Sequence, residues 1–229
     1  MDVGNLVISP ALFKLPFNVE KDFAPVAMVA YSPHLLAVST KVPANTPAEL
    51  VAYAKSRPGE VTYGSTGVGS DDHLSALMLE RAAGIQMTHV PFKGTAEVHN
   101  AVLSKQITVA AMNIGEALQY VKGGSKIRQL GQMSEARTTL APQVPTFKEQ
   151  GYPIIMASLR GMAAPKGLPP AITQRLRAAL QEGLKDPAIR KRLQEGGAIP
   201  AAGQEDIIAV MREDSARYAA LVKFANVTP

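Results

Sequence analysis

The chain has no cysteine. That excludes disulfides, thiolate chemistry and any zinc site built on cysteine, and it is compatible with an oxidising compartment without requiring one. Long apolar runs are missing too, and no stretch approaches the length that spans a bilayer. The chain opens Met1-Asp2, with an acid where a secretory leader has a basic region, so no signal peptide is expected in it. Its histidines, His34, His73, His89 and His99, lack the spacing of a metal motif such as His-Glu-x-x-His, and no metal is expected. Aromatic residues make up only 5% of the sequence, and the net charge of +5 comes from bases that alternate with acids. The densest basic run, 186–192, reads as the solvated face of a helix. With no recognisable nucleic-acid motif, this charge does not point to nucleic acid; it suits drawing in small anions.

What is present is an apolar fraction of 46% over 229 residues, enough to bury one large core or two modest ones. The most informative stretch is Gly64-Ser65-Thr66-Gly67-Val68-Gly69-Ser70-Asp71-Asp72-His73. Glu60-Val61-Thr62-Tyr63 before it reads as extended, and 74–83 after it as a helix closed by Gly84. A glycine-rich turn from a strand into a helix N-terminus aims unpaired backbone N–H groups and the positive dipole end at one spot. Such a spot suits a carboxylate or a phosphate. Gly64 and Gly69 have P-loop spacing, but Ser70 and Asp71 follow where lysine and a hydroxyl residue are needed. The dinucleotide fingerprint fails as well, because Asp72 stands at the third glycine. Asp71 and Asp72 would repel a polyphosphate, although at a helix start they oppose its dipole favourably. A singly charged carboxylate held by amides and the hydroxyls of Ser65, Thr66 and Ser70 fits better. The plainer alternative is a simple turn with Ser70 as N-cap. No Gly-x-Ser-x-Gly elbow exists, which speaks against a serine hydrolase.

Along the chain, strands and helices alternate, the pattern of an α/β layer fold. Short apolar runs at 27–31 and 35–39 bracket Ser32-Pro33-His34. Thr46-Pro47-Ala48-Glu49 is a capping box with proline at the first helical position, and Arg57-Pro58-Gly59 stops the helix it opens. Further strands are expected at 86–92, 107–112, 127–133 and 154–164, and helices at 96–104 and 116–122. After a loop over 137–145 comes a single helical turn at 146–150. A helix at 170–185 carries Ile172, Leu176, Leu180 and Leu184 as one apolar stripe. Asp186-Pro187 starts another helix, ended by Gly196-Gly197. The last helix, 205–225, buries Ile207, Ile208, Met211, Tyr218, Leu221 and Val222.

Several of these stretches resemble one family in order. Asp22-Phe23-Ala24-Pro25-Val26-Ala27, then Tyr63 through Ser70 with His73-Leu74, then Thr88-His89-Val90-Pro91-Phe92-Lys93-Gly94 are similar to the solute receptors of tripartite tricarboxylate transporters (TctC, or Bug). Val144-Pro145-Thr146-Phe147 through Gly151, Gly161 with Ala164-Pro165, and Leu168-Pro169-Pro170 continue the match over nearly the whole chain. The resemblance implies an α/β, bilobed periplasmic-binding-protein architecture of type II, the Venus flytrap. It implies a periplasmic, non-catalytic receptor without cofactor that captures a small organic carboxylate and delivers it to a membrane permease. By the same resemblance, strands 35–39 and 157–164 cross between the lobes. Lobe 1 is then 1–35 plus 160–229, and lobe 2 is 36–159. The ligand carboxylate would meet Ser65, Thr66, Gly67, Gly69 and Ser70, with Lys93, Gly94 and Thr95 facing the same cleft from a second helix N-terminus. Asn113 matches an asparagine often seen in the family. Closure of a hinge on the ligand is the implied mechanism.

The chain departs from the family pattern in four places. Met1 falls where the family has already spent roughly sixty mature residues after its leader. The part so missing would include the first strand, a proline- and glycine-rich ligand loop and the first helix, leaving lobe 1 truncated at its N-terminal side. Met112 stands where an acid often precedes the asparagine, and Thr95-Ala96-Glu97 follows Lys93-Gly94 where a small residue and proline are usual. Leu159-Arg160 precede Gly161 in place of an aromatic pair. Arg160 would pair bidentately with a second ligand carboxylate, or else snorkel from an exposed strand edge. His73 reads as a packing residue behind the turn. Two rival functions stay open: an enzyme on a small anionic metabolite that uses the glycine turn as anion holder, and a non-transporting sensor or partner-binding remnant of a receptor. A monomer is expected, although a strand edge left open would favour dimerisation.

Overall fold

The structure, a computed structural model, describes residues 3–203 and 205–227, with the backbone alone for 3–5 and 20. Met1, Asp2, Gln204, Thr228 and Pro229, all within the expected lobe 1, lie outside the described residues. In chain order the elements are α1 (Val3–Leu12), α2 (Val19–Asp22), β1 (Phe23–Ser39), α3 (Pro47–Lys55), β2 (Thr62–Ser65), α4 (Asp71–Ala83), β3 (Thr88–Pro91), α5 (Thr95–Leu103), β4 (Val109–Asn113), α6 (Ile114–Lys122), β5 (Ile127–Gln132), a 3₁₀ turn (Lys148–Gln150), β6 (Ala157–Pro165), α7 (Pro170–Gly183), α8 (Pro187–Glu195), β7 (Ile199–Pro200) and α9 (Ile207–Phe224). They group into two compact units, Met1–Ser32 with Ser158–Pro229, and Pro33–Ala157. Among the described residues no helix is long and apolar enough to cross a membrane.

In the Pro33–Ala157 unit the strand order is β3-β2-β4-β1-β5. Strands β3, β2 and β4 run parallel, while β1 is antiparallel to β4 and β5. Parallel neighbours need crossovers, and α4 and α5 supply them. The C-terminal ends of β2, β3 and β4 therefore share one edge of the sheet, and each leads into a helix N-terminus. Because β1 runs the other way, its His34 stands opposite Asn113 at that same edge. Leu35, Val98, Ile107, Met112 and Ile114 are buried in the core that holds α5 and α6 on the sheet; burying each such side chain stabilises by about 1.5–3 kcal/mol. Beyond β5, buried Gln132 pins the loop that follows. Its Nε2 donates to the carbonyls of Ala141 (2.9 Å) and Val144 (2.6 Å), and its Oε1 accepts from the Thr138 N–H (3.0 Å).

The two short runs expected at 27–31 and 35–39 are one continuous strand, β1. Ser32-Pro33 reads locally as a turn, yet proline's fixed φ is compatible with extended backbone. Its missing N–H falls between the residues that pair with β7 (Ala30, Tyr31) and those that pair with β4, which begin at His34. Other expected strands keep their place with ends moved by a few residues. Thus β2 begins at Thr62 because the Glu60 N–H closes a turn on the Arg57 carbonyl (3.1 Å), and it continues through Gly64 and Ser65. The caps of α3 and α4 follow the sequence: Thr46 accepts the Glu49 N–H (3.1 Å), and Gly84 closes α4 in the left-handed region (φ 62°). The return bond of the α3 box runs to the Asn45 N–H (2.6 Å) instead of the N-cap amide.

In the unit Met1–Ser32 with Ser158–Pro229, β6 and β7 pair with β1, and α1 packs on α9. Val26, Ala27 and Ala164 are buried under Leu168, Leu176 and Leu180. Two expected core residues are instead exposed, Ile172 by 46% and Ile208 by 44%. The stripe through α7 explains the first: steps of four residues wind by about 40° each around a helix of 3.6 residues per turn, so its far end leaves the core. Ile208 sits one residue, about 100°, from buried Ile207 and faces a cavity described below.

Candidate functional site

The β2–α4 turn is shaped by Gly67 (φ 130°) and Gly69 (φ 74°), in backbone regions that residues with a Cβ rarely enter. Its hydroxyls are spent within the turn and on the first turn of α4. Ser65 Oγ donates to the Gly67 carbonyl (3.0 Å) and accepts the Gly67 N–H (3.2 Å). Ser70 Oγ donates to the same carbonyl (2.8 Å) and accepts the His73 N–H (3.2 Å), capping α4. Thr66 Oγ1 donates to Asp72 Oδ2 (2.7 Å), and the Gly69 N–H donates to His73 Nδ1 (2.9 Å). The amides of Thr66 and Val68 make no hydrogen bond among the described residues, and Val68 is exposed. The donors this turn offers to a ligand are therefore backbone N–H groups.

Behind the turn, three rings stack. His73 lies on His89 (centroids 3.9 Å apart) and His89 on Tyr63 (5.0 Å). Burial, with the neighbouring His89, lowers His73 to about 3, and burial lowers His89 to about 4. Both are neutral at pH 7, and His73, accepting at Nδ1, carries its proton on Nε2. Ser65 Oγ lies 2.6 Å from His89 Nε2, the spacing of a nucleophile and its base. Yet Ser65 is fully buried, and among the described residues no carboxylate orients the imidazole. The pair ties the turn to β3.

His34 is fully buried between two carboxylates: Nε2 is 3.3 Å from Asp71 Oδ2 and Nδ1 is 3.1 Å from Asp72 Oδ1. Burial alone would depress the imidazole, but Asp71 and Asp72 outweigh it and hold it up at about 10. At neutral pH it is an imidazolium. The three residues offer ligand atoms within 4.8 Å of one another, a spacing that metals use. Both ring nitrogens, however, face carboxylates from opposite edges of the ring, which is a double ion pair; a metal would take one nitrogen and displace its proton. Glu116, on the first turn of α6, accepts from Thr95 Oγ1 (2.9 Å) and from the Asn113 N–H (3.3 Å). Burial raises its carboxyl above the usual carboxylate range, and the charge of Asp72 adds to that.

All the expected ligand residues except Arg160 thus stand at one sheet edge: Ser65, Thr66, Gly67, Gly69 and Ser70 in the β2–α4 turn, Lys93, Gly94 and Thr95 between β3 and α5, and Asn113 between β4 and α6. Gly94 is the N-cap of α5 and brings no side chain to it, and Glu97 accepts the Lys93 N–H (3.1 Å). Arg160 belongs to the other unit, on β6, with Nη1 3.5 Å from the Leu159 carbonyl. His34, Asp72 and Glu116 complete the edge without having been signalled as a group. Asn113-x-x-Glu116 has capping-box spacing and is the one legible sign among them.

A mixed sheet whose parallel strands feed helix N-termini at one edge is the frame of an α/β binding protein, and solved structures agree. The chain superposes on an R. palustris protein solved with adipate (TM-score 0.86, 27% identity, 100% of this chain and 77% of that one). It also superposes on MatC from Rhodopseudomonas palustris, solved with bound malate (TM-score 0.80, 29% identity, 96% and 77%). The model of the tripartite tricarboxylate transporter family receptor matches residues 3–227, and the chain belongs to this family. It is 31% identical over 193 residues to BugT of Bordetella pertussis, covering 84% of this chain and 59% of BugT. The chain spans 58% and 59% of the length of two curated relatives that it matches.

Proposed function

We propose that this chain is a solute-binding receptor, acting in the periplasm, that holds a small organic carboxylate for a transporter of the tripartite tricarboxylate type. The observation that carries the reading is the convergence of three helix N-termini, those of α4, α5 and α6, at one sheet edge, with the Thr66 and Val68 amides left over for an acceptor. Relatives solved with adipate and malate support the ligand class. In this reading each compact unit is one lobe, and Arg160 on β6 is a candidate partner for a carboxylate through its planar guanidinium. The enzyme alternative gains nothing from the Ser65–His89 pair, whose serine is sealed from solvent.

A thermal-shift screen against mono-, di- and tricarboxylates, with phosphate and nucleotides as controls, tests this. A ligand at a hundred times its Kd stabilises the folded state by about 2.7 kcal/mol, a melting shift of several degrees. The matched variant is Gly94→Asp. A Cβ at Gly94 meets nothing within 4 Å and its backbone is extended, so the new carboxylate caps α5 without strain and competes for the anion position. The expected result is a selective carboxylate shift that Gly94→Asp removes while the unliganded protein melts no lower. A shift with a short-chain carboxylate that is indifferent to Gly94→Asp, or a cooperative melt that no short-chain carboxylate moves, overturns the reading.

A further inference from the structure

The unit formed by Met1–Ser32 with Ser158–Pro229 contains a cavity of about 760 Å³, lined wholly by its own residues and by none of those at the sheet edge described above. That volume lies in the range of small-molecule sites. Its walls are apolar, with Leu6 and Val7 of α1, Phe13 and Phe17 after it, and Ile208 and Met211 of α9. Phe13, Phe17 and Ile208 are each at least 40% exposed, so large apolar side chains face solvent around one opening. The charge is of one sign. Among the described lining residues there is no carboxylate, while Lys166 after β6, Arg177 of α7 and Arg212 of α9 all line the cavity. Arg212 makes no hydrogen bond or ion pair among the described residues, and Arg177 spends only its Nε, on the Val26 carbonyl (2.9 Å).

Apolar walls beside guanidinium groups that have no counter-ion among the described residues fit one kind of occupant. We infer that this cavity binds an amphiphilic monoanion, a fatty carboxylate with a tail of roughly eight to twelve carbons. The tail covers the phenylalanines and Ile208, and the carboxylate bonds Arg177 and Arg212, whose planar donors match its geometry. A short dicarboxylate has no tail to cover the phenylalanines and Ile208, and no lining residue belongs to the sheet edge, so this site is separate from the proposed transport site.

Isothermal titration of the full chain with octanoate, decanoate and dodecanoate below their micelle concentrations tests the assignment. One molecule should bind per chain, about fourfold more tightly for each added methylene. The variant Arg177→Gln/Arg212→Gln, altered only at exposed positions, should keep its cooperative melt, weaken decanoate at least tenfold and leave decanol binding unchanged. Gly94→Asp should leave decanoate binding intact. Decanoate affinity insensitive to both arginines, its loss in Gly94→Asp, or no saturable binding overturns the proposal. So does light scattering that shows a dimer dissociated by Phe17→Asp, since a second copy then covers the opening.

Discussion

Replacing His34 by asparagine removes the positive charge held between Asp71 and Asp72 and leaves a ring-sized gap partly filled. Breaking a buried ion pair from one side costs about 3–5 kcal/mol, because the other charge stays buried and uncompensated. Asp72 is 3% exposed and keeps, among the described residues, only the Thr66 hydroxyl, whereas the Asp71 side chain is 24% exposed and can turn to water. The loss should therefore sit near the lower end of that range. The pH dependence is the sharper signature. Unfolded histidine titrates near 6.5, and folded His34 at about 10. A base raised in the folded state stabilises fully below its unfolded pKa and loses that contribution as pH rises through its folded one. The contribution is complete at pH 6 and falls between pH 6.5 and 10 by about 1.4 kcal/mol per unit, with a ceiling near 5 kcal/mol. Urea unfolding of the wild type and His34→Asn from pH 6 to 10 measures it, since lysines and tyrosines titrate in both and cancel in the difference. The gap should be widest at pH 6 and shrink steadily above 7, while the His34 ring resonances stay at their imidazolium positions past pH 8. A gap that does not change with pH, with those resonances titrating near 6.5, would show a neutral imidazole and refute the double ion pair.

Two further perturbations test the ring stack and the loop after β5. His73 and His89 are held down at about 3 and 4 against an unfolded value near 6.5, so the sign reverses: their contribution is present above pH 6.5 and is lost as pH falls towards 4 and 3. Calorimetric melting between pH 7 and 4 should fall more steeply in the wild type than in His73→Asn; equal slopes would refute neutral burial of the imidazole. Gln132→Leu keeps the volume but leaves the Ala141 and Val144 carbonyls and the Thr138 N–H without their partner, at a cost of about 2–4 kcal/mol. Urea midpoints and faster amide exchange over 134–146 read it, and a loss below about 1 kcal/mol would show that water replaces the side chain.

What was legible in the sequence was local. Thr46 and Pro47 start α3, Ser70 and Gly84 bound α4, and the glycine turn between β2 and α4 is visible because each depends on neighbours a few residues away. The failures are long-range. Pro33 reads as a break until the partner strands show that its missing N–H lies where β1 changes neighbours. Helix α1 and strand β7 have no periodicity of their own to announce them, and α1 is held by α9, at the opposite end of the chain. Ile208 fits a buried stripe by spacing, and only the opening beside α9 leaves it exposed. At the candidate site the same division holds. The helix N-termini follow from turn chemistry, but the pairing of His34 with Asp71 and Asp72 follows from the antiparallel register that sets His34 opposite Asn113.

That pairing bears on which anions the edge can accept. Asp71, Asp72 and Glu116 would together surround an incoming anion with like charge, and an edge so lined would bind none. Two features of this chain offset them. The His34 imidazolium cancels part of the charge of the two aspartates, and burial biases Glu116 towards its neutral form. What remains near the α4 and α5 N-termini is a weakly negative surround beside the Thr66 and Val68 amides, which make no hydrogen bond among the described residues. On the proposed reading a carboxylate, with one charge spread over two acceptors, would be stabilised there by the amides and helix dipoles at small repulsive cost. A phosphate monoester, nearly doubly charged at neutral pH, meets the same amides against about twice the repulsion and without the lysine that a P-loop provides. On the proposed reading the acids beside the glycine turn act as a filter that favours carboxylate over phosphate, and His34 keeps that filter from excluding both.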